Sequence, residues 1–167
     1  PFDTFLVLPY MACDLAGVIS NLTITLKVPE IKNFMLQILN GLSYLHNNKF
    51  IHRDIKTANI LISRNNLLKI ADFGLTRKYQ GPAPVKNEGH GGGLHPMTNL
   101  VVARWYRAPE LLFGERCYTT SIDLWALGCI FGEFSIMKPS LTGSSDLDPF
   151  TDIFKLVGSS SMGRMPF

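Results

Sequence analysis

The sequence predicts an α+β fold, mainly helical with a few short strands. Three observations predict it. From Pro29 onward, Ile31, Phe34, Met35, Ile38, Leu39, Leu42 and Leu45 recur at three- and four-residue steps, the period of a helix with one apolar face. Between Thr120 and Ser135, the residues Ile122, Leu124, Trp125, Leu127, Cys129, Ile130, Phe131 and Phe134 are apolar nearly all round, as in a helix at the centre of a core. Ile60-Leu61-Ile62 and Leu67 to Ala71 are short apolar runs on either side of the turn Arg64-Asn65-Asn66, which reads as two short strands.

In chain order, Phe5-Leu6-Val7-Leu8 reads as a buried strand, ended by Pro9 and leading into a linker. Asp14 to Asn21 suits a short helix with Leu15, Val18 and Ile19 on one face. Pro29 suits the first turn of the long helix, where a missing N–H costs nothing, and that helix runs to about Asn47. The two strands that follow carry Asn59 and Asp72, which flank them, to neighbouring positions. Tyr79 to Met97 has no periodicity, three prolines, and glycines at 89, 91, 92 and 93, so it reads as a mobile loop. After the helix Thr120–Ser135, Asp146 to Val157 gives a third helix, with Pro149 tolerable in its first turn.

Composition narrows the function classes. A chain of 167 residues with 46% hydrophobic residues can bury a real core and is not disordered. A net charge of +3 without a dense Lys/Arg run argues against direct nucleic-acid binding. Asp123 and Glu133 interrupt the most apolar stretch, which makes it a core helix and not a membrane span. Cys13, Cys117 and Cys129 form no CxxC pair, so reduced buried thiols are expected instead of a disulfide frame.

The chemistry is written in three pieces: His52-Arg53-Asp54-Ile55-Lys56-Thr57-Ala58-Asn59, then Asp72-Phe73-Gly74, then Ala108-Pro109-Glu110. Each is weak by itself; their order and internal offsets are not. Phosphoryl transfer needs a carboxylate near the attacking hydroxyl, oxygen ligands for magnesium, and a cation on the moving phosphate. Asp54, the pair Asn59 and Asp72, and Lys56 supply these in turn. The series is the protein-kinase signature.

With Trp105-Tyr106-Arg107 added to Ala108-Pro109-Glu110, the chain resembles the cyclin-dependent kinases. More narrowly, it is similar to the fungal Bur-type transcription-elongation kinases, relatives of the kinase subunit of positive transcription elongation factor b. That narrower resemblance rests on Leu8-Pro9-Tyr10-Met11, on Thr57-Ala58, on the glycine-rich insert, and on Gly114-Glu115-Arg116 with Tyr118-Thr119-Thr120. It implies a protein-kinase-like fold, with residues 1–167 a partial kinase domain: hinge, most of the helical C-lobe, and an activation segment over 72–110. No G-x-G-x-x-G precedes the signature, so an absent N-lobe and an inactive isolated chain are expected.

Residue by residue, the resemblance implies ATP and Mg2+ as cofactors. Leu8 matches the gatekeeper, the Pro9 carbonyl and Met11 N–H the adenine contacts, Asp14 a ribose contact and Leu61 the adenine floor. Asp54 and Lys56 are the implied catalytic pair, and Asn59 and Asp72 the metal ligands. Thr98 matches a regulatory phosphosite, with Arg53 and Arg77 as two arginines of its phosphate clasp. Val102 and Arg107 match the pair that selects proline after the target residue. Ala103 departs from the pattern, because family members place there a threonine whose hydroxyl bonds the catalytic Asp and Lys. The implied partners are a cyclin, bound through the N-lobe, and the RNA polymerase II C-terminal repeat, with no membrane and a nuclear location. The rival reading is a non-catalytic truncated kinase fragment acting as an interaction module. Ala103 and the missing strand Lys favour the rival; intact Asp54, Lys56, Asn59 and Asp72 favour the enzyme.

Overall fold

The structure is a computed structural model that describes residues 5–85 and 90–136, together with Ile153 and Gly158. Two helices organise it. Helix α1, Leu15–Ser20, is short, and Asp14 caps it by accepting the Gly17 N–H at 2.7 Å. Helix α2, Val28–Asn47, carries Pro29 in its first turn, and Glu30 Oε2 accepts the Lys27 N–H at 2.7 Å at its start. Its buried face is Phe34, Ile38 and Leu42, as the periodicity requires, extended by His46, while Leu39 stays exposed. A single turn, α3 at Pro109–Leu112, precedes helix α4 at Ser121–Ile136.

The strands are very short. Strand β1, Cys13–Asp14, pairs antiparallel with β3, Ile60–Ile62, and β3 pairs antiparallel with β4, Leu68–Ile70. Strand β2, Phe50–Ile51, pairs with β5, Arg77–Lys78, in a separate two-stranded ladder. Strands of two or three residues are marginal by themselves and need a packed face. Here Ile51, Ile55 and Ile60 are fully buried with Leu15, Ile38, Leu42, Ile122 and Ile130, so both ladders close on one core shared with α1, α2 and α4.

Four expectations change. Phe5–Leu8 is not a strand: it is extended chain with Phe5, Leu6, Val7 and Leu8 exposed, and no described residue pairs with it. Cys13 and Cys117 are exposed, not buried; Cys129 is half-buried, and burial pushes its thiol pKa up to about 12. Helix α4 buries Ile122, Ala126, Leu127, Ile130 and Phe134 but leaves Leu124 and Phe131 exposed among the described residues, so it is not buried all round. The glycine-rich stretch is pinned. The Thr120 N–H donates to the Gly91 carbonyl at 2.8 Å, the Gly93 N–H to the Tyr118 carbonyl at 3.1 Å, and the Met97 N–H to the Arg116 carbonyl at 2.8 Å. Gly92 and Gly93 sit at φ +106° and +82°, and a Cβ at Gly91 would run into the Tyr79 hydroxyl. The expected helix over 146–157 lies outside the described residues except for Ile153, which is helical and buried. Among the described residues no helix is long and apolar enough to cross a membrane.

One charged side chain ties α4 to the chain that follows α2. Asp123 is 1% exposed. Its Oδ2 accepts the His52 N–H at 2.9 Å and His46 Nε2 at 2.8 Å, and its Oδ1 accepts the Arg53 N–H at 2.9 Å. A carboxylate in a core is tolerated only when its lone pairs are taken, and three donors take them. In the full-length protein, Asp123→Ala leaves two buried N–H groups without acceptors and is expected to cost about 3–5 kcal/mol. Asp123→Asn keeps one acceptor oxygen and is expected to cost about 1–3 kcal/mol. Urea denaturation of both variants checks this; equal midpoints for Ala, Asn and wild type would show that the carboxylate does not hold the loop.

Candidate functional site

The segment between β2 and β3 is buried from His52 to Ile55 and turns sharply at Arg53, whose φ is +66°. A non-glycine residue there costs of order 1–3 kcal/mol, and the two N–H bonds to Asp123 hold it. The reversal sends consecutive side chains in different directions: Arg53 toward Thr98, Asp54 toward Asn59.

Asp54 is 6% exposed. Its Oδ2 accepts Lys56 Nζ at 2.7 Å and Asn59 Nδ2 at 3.0 Å, and the same amide nitrogen donates to the Asp54 carbonyl at 2.9 Å. The 3₁₀ turn Thr57–Asn59 delivers Asn59 to the start of β3. At the far end of the β3–β4 pair, the Ala71 N–H donates to the Asn59 carbonyl at 2.9 Å, so Asp72 begins beside Asn59 as the hairpin reading expects. Asp72 is exposed at φ +60°, and its Oδ1 accepts the Gly74 N–H at 3.3 Å.

His52 braces this arrangement. Its Nε2 lies 3.0 Å from the Ala71 carbonyl and its Nδ1 accepts the Asp54 N–H at 3.3 Å. A carbonyl can only accept and an N–H can only donate, so the proton sits on Nε2. Burial lowers the His52 pKa, against the opposing pull of Asp123, which keeps the ring neutral. Phe73 packs edge-on against that ring, centroids 5.1 Å apart.

Beside Lys56 opens a cleft of about 740 Å³, lined among others by Asp14, Thr57, Ala103, Trp105 and Tyr106. Its floor is polar and buried: Thr57 Oγ1 lies 3.0 Å from the Tyr106 hydroxyl, which also bonds Glu133. Burial raises the pKa of both Tyr106 and Glu133. The β1–β3 register sets Asp14 opposite Leu61, so these two expected nucleotide contacts share one edge. Pro9 and Met11 lie in the extended stretch entering β1, and among the described residues the Pro9 carbonyl and Met11 N–H make no hydrogen bond. The expected gatekeeper, Leu8, is exposed.

The stretch from Met97 to Arg107 returns to the same loop. Arg53 Nη1 donates to Thr98 Oγ1 at 3.0 Å and to the Tyr118 hydroxyl at 2.9 Å, and Arg53 Nε donates to the Leu75 carbonyl at 2.7 Å. Arg77 is exposed on β5 and, among the described residues, makes no bond to Thr98; the expected two-arginine clasp is half assembled. Val102 sits at φ +67°, rare for a β-branched residue. Arg107 holds it, donating from Nε to the Val101 carbonyl at 3.1 Å and from Nη2 to the Val102 carbonyl at 3.2 Å. Glu110 Oε1 accepts the Ser121 hydroxyl at 3.3 Å.

Sequence reasoning missed Asp123, His46, Tyr118 and the Tyr106–Glu133 floor. For Asp123 and Glu133 a signal was present: a carboxylate inside an apolar helix that faces a core must find donors.

Residues 2–162 match the family model described as protein kinase domain. The chain is 54% identical over 156 residues to the serine/threonine-protein kinase Bur1 of Saccharomyces cerevisiae, covering 93% of this chain and 24% of that protein. It is 51% identical over 159 residues to the kinase of the same name from Kluyveromyces lactis, covering 95% and 25%. The chain thus spans about a quarter of the length of the curated relatives it matches. In three dimensions it is similar to a chain of the yeast RNA Pol II CTD kinase CTDK-1 complex, with a TM-score of 0.77 at 38% identity, covering 87% of this chain and 44% of that one. With residues 2–162 of its 167 matched, the chain belongs to the protein kinase family.

Proposed function

We propose that the full-length protein is a cyclin-dependent Ser/Thr protein kinase that transfers the γ-phosphate of ATP to Ser or Thr followed by Pro. The RNA polymerase II C-terminal repeat is the proposed substrate, in the nucleus. The observation that carries this reading is the Asp54 carboxylate, held by Asn59 and by Lys56, which lines an open cleft. Asp54 orients the substrate hydroxyl and accepts its proton, and Lys56 stabilises charge on the transferring phosphate. The similarity to Bur-type kinases and to a chain of a CTD kinase complex supports the substrate class, and the resemblance to cyclin-dependent kinases supports a cyclin partner.

The donor set fits Mg2+. Asn59 spends its NH₂ on Asp54, which leaves its Oδ1 for a cation, and Asp72 spends Oδ1 on Gly74, which leaves Oδ2. Both are hard oxygen ligands of the kind Mg2+ takes. Bound there with ATP, the ion would neutralise charge on the phosphates. By the resemblance to cyclin-dependent kinases, the Pro9 carbonyl, Met11 N–H, Asp14 and Leu61 would receive the adenosine part.

Arg107 supports proline selection. It occupies the Val102 carbonyl, so a substrate N–H after the target residue finds no acceptor there. An unpaired donor costs about 1–3 kcal/mol, and proline has none to lose. The full-length kinase with its cyclin should therefore favour a Ser-Pro peptide over the matching Ser-Ala peptide by roughly tenfold or more in kcat/KM. Equal rates would remove the proline-directed reading.

Two substitutions in the same preparation separate the roles. Asp54→Asn is expected to lower kcat by about 10²–10⁴-fold while ATP affinity stays within a few-fold, because the carboxylate acts on the substrate hydroxyl. Comparable losses in ATP binding and turnover would mean that Asp54 serves the nucleotide instead. Ala103 lines the cleft with Lys56 and offers it no hydroxyl, an observation that favours a non-catalytic module. Ala103→Thr is expected to raise kcat by about tenfold or more, the worth of one hydrogen bond to a charged group, with ATP affinity little changed. No gain, together with an inactive wild type, would turn the balance to the non-catalytic reading.

A further inference from the structure

We propose that Tyr118 is a positioning residue that holds the activation segment on the catalytic loop before Thr98 carries a phosphate. Tyr118 is 2% exposed, and its hydroxyl is used in both directions. It donates to the Thr98 carbonyl at 2.6 Å and accepts from Arg53 Nη1 at 2.9 Å. The same Nη1 donates to Thr98 Oγ1 at 3.0 Å. Tyr118, Arg53 and Thr98 thus close a ring of three hydrogen bonds, one end of which is the residue directly before Asp54.

Both sides of the ring are anchored. Arg53 is fixed through its N–H to Asp123 and its Nε to the Leu75 carbonyl. Tyr118 is fixed by the glycine stretch: its carbonyl accepts the Gly93 N–H, and Gly91 and Thr120 exchange two bonds beside it, Thr120 N–H to the Gly91 carbonyl at 2.8 Å and Gly91 N–H to Thr120 Oγ1 at 3.2 Å. The Gly91–Gly93 run, which the phosphoryl-transfer chemistry leaves unused, backs Tyr118 through an isolated bridge between Gly92 and Thr119. Such close approach favours glycine: Gly92 sits at φ +106°, and a Cβ there would come 3.3 Å from the Tyr118 carbonyl oxygen.

Thr98 itself is exposed. Its carbonyl is tied down while its side chain stays open to a modifying enzyme. A phosphate on Thr98 would add charge-assisted bonds to Arg53 and take over the hold that Tyr118 supplies to the unmodified segment. The contribution of Tyr118 should then be large without the phosphate and small with it. A merely structural tyrosine would affect both forms alike.

This inference rests on the kinase reading above, so its test has one arm that needs no catalysis. Full-length wild type and Tyr118→Phe are prepared with the cyclin in two forms, Thr98 fully dephosphorylated and Thr98 fully phosphorylated, each verified by mass spectrometry. Phenylalanine keeps the buried ring, so the packing around position 118 is retained. The expected loss in kcat/KM on a Ser-Pro peptide is about tenfold for the dephosphorylated form and under about threefold for the phosphorylated form. Amide hydrogen exchange over residues 97–102 of the dephosphorylated protein is expected to quicken about tenfold or more in Tyr118→Phe. Equal kinetic losses in the two forms, or unchanged exchange, overturn the proposal. If wild type transfers no phosphate at all, the kinase reading fails, and the exchange measurement alone decides for or against Tyr118.

Discussion

The carboxylate of Asp123 is the constraint on which the site depends. It is buried in α4 and accepts hydrogen bonds from two successive backbone N–H groups, at His52 and Arg53, and from the His46 ring. A buried charge with three donors is stable; with fewer it would be costly, so the chain is forced into the left-handed turn at Arg53. That turn separates two side chains that are neighbours in sequence. Arg53 reaches Thr98, and Asp54 meets Lys56 and Asn59. One interaction therefore sets both the Asp54 carboxylate and the point where the stretch around Thr98 is held.

The rest of the site hangs on strands too short to stand alone. The three-stranded ladder of β1, β3 and β4 places Asp14 opposite Leu61 and carries Asn59 and Asp72 to the same end. The two-stranded ladder of β2 and β5 closes the loop between them. Neither would persist without the apolar faces of α1, α2 and α4. The functional side chains lie in the connections, where backbone groups are not committed to a ladder and can be aimed.

Backbone strain marks the same places. Arg53, Asp72 and Val102 all have positive φ without being glycine, and each is held by specific bonds. Asp123 holds Arg53, the Gly74 N–H meets the Asp72 side chain, and Arg107 holds the carbonyls of Val101 and Val102. Strain of this kind persists only where neighbours over-determine it. Here the neighbours are a buried carboxylate, a backbone N–H and a guanidinium, each bonded to the strained residue or the one beside it.

The sequence by itself determined the helical periods of α1 and α2, the β3–β4 hairpin and the family, and it nominated Asp54, Lys56, Asn59, Asp72, Thr98, Val102 and Arg107 as candidates. These are local facts: a period of 3.6, a turn between two apolar runs, a motif with fixed offsets. Only the tertiary structure decided what lies across the chain from them. The Asp123 bonds to His46, His52 and Arg53 span 70–77 residues, the Tyr118 bond to Arg53 spans 65, and no periodicity reports such partners. Composition misled where packing reversed it. Phe5–Leu8 is apolar yet unpaired among the described residues, and the glycine stretch that reads as loose is pinned because glycine lets two backbones approach closely. Residue types state what chemistry is possible; which groups meet was settled by how one buried carboxylate and a shared apolar core could both be satisfied.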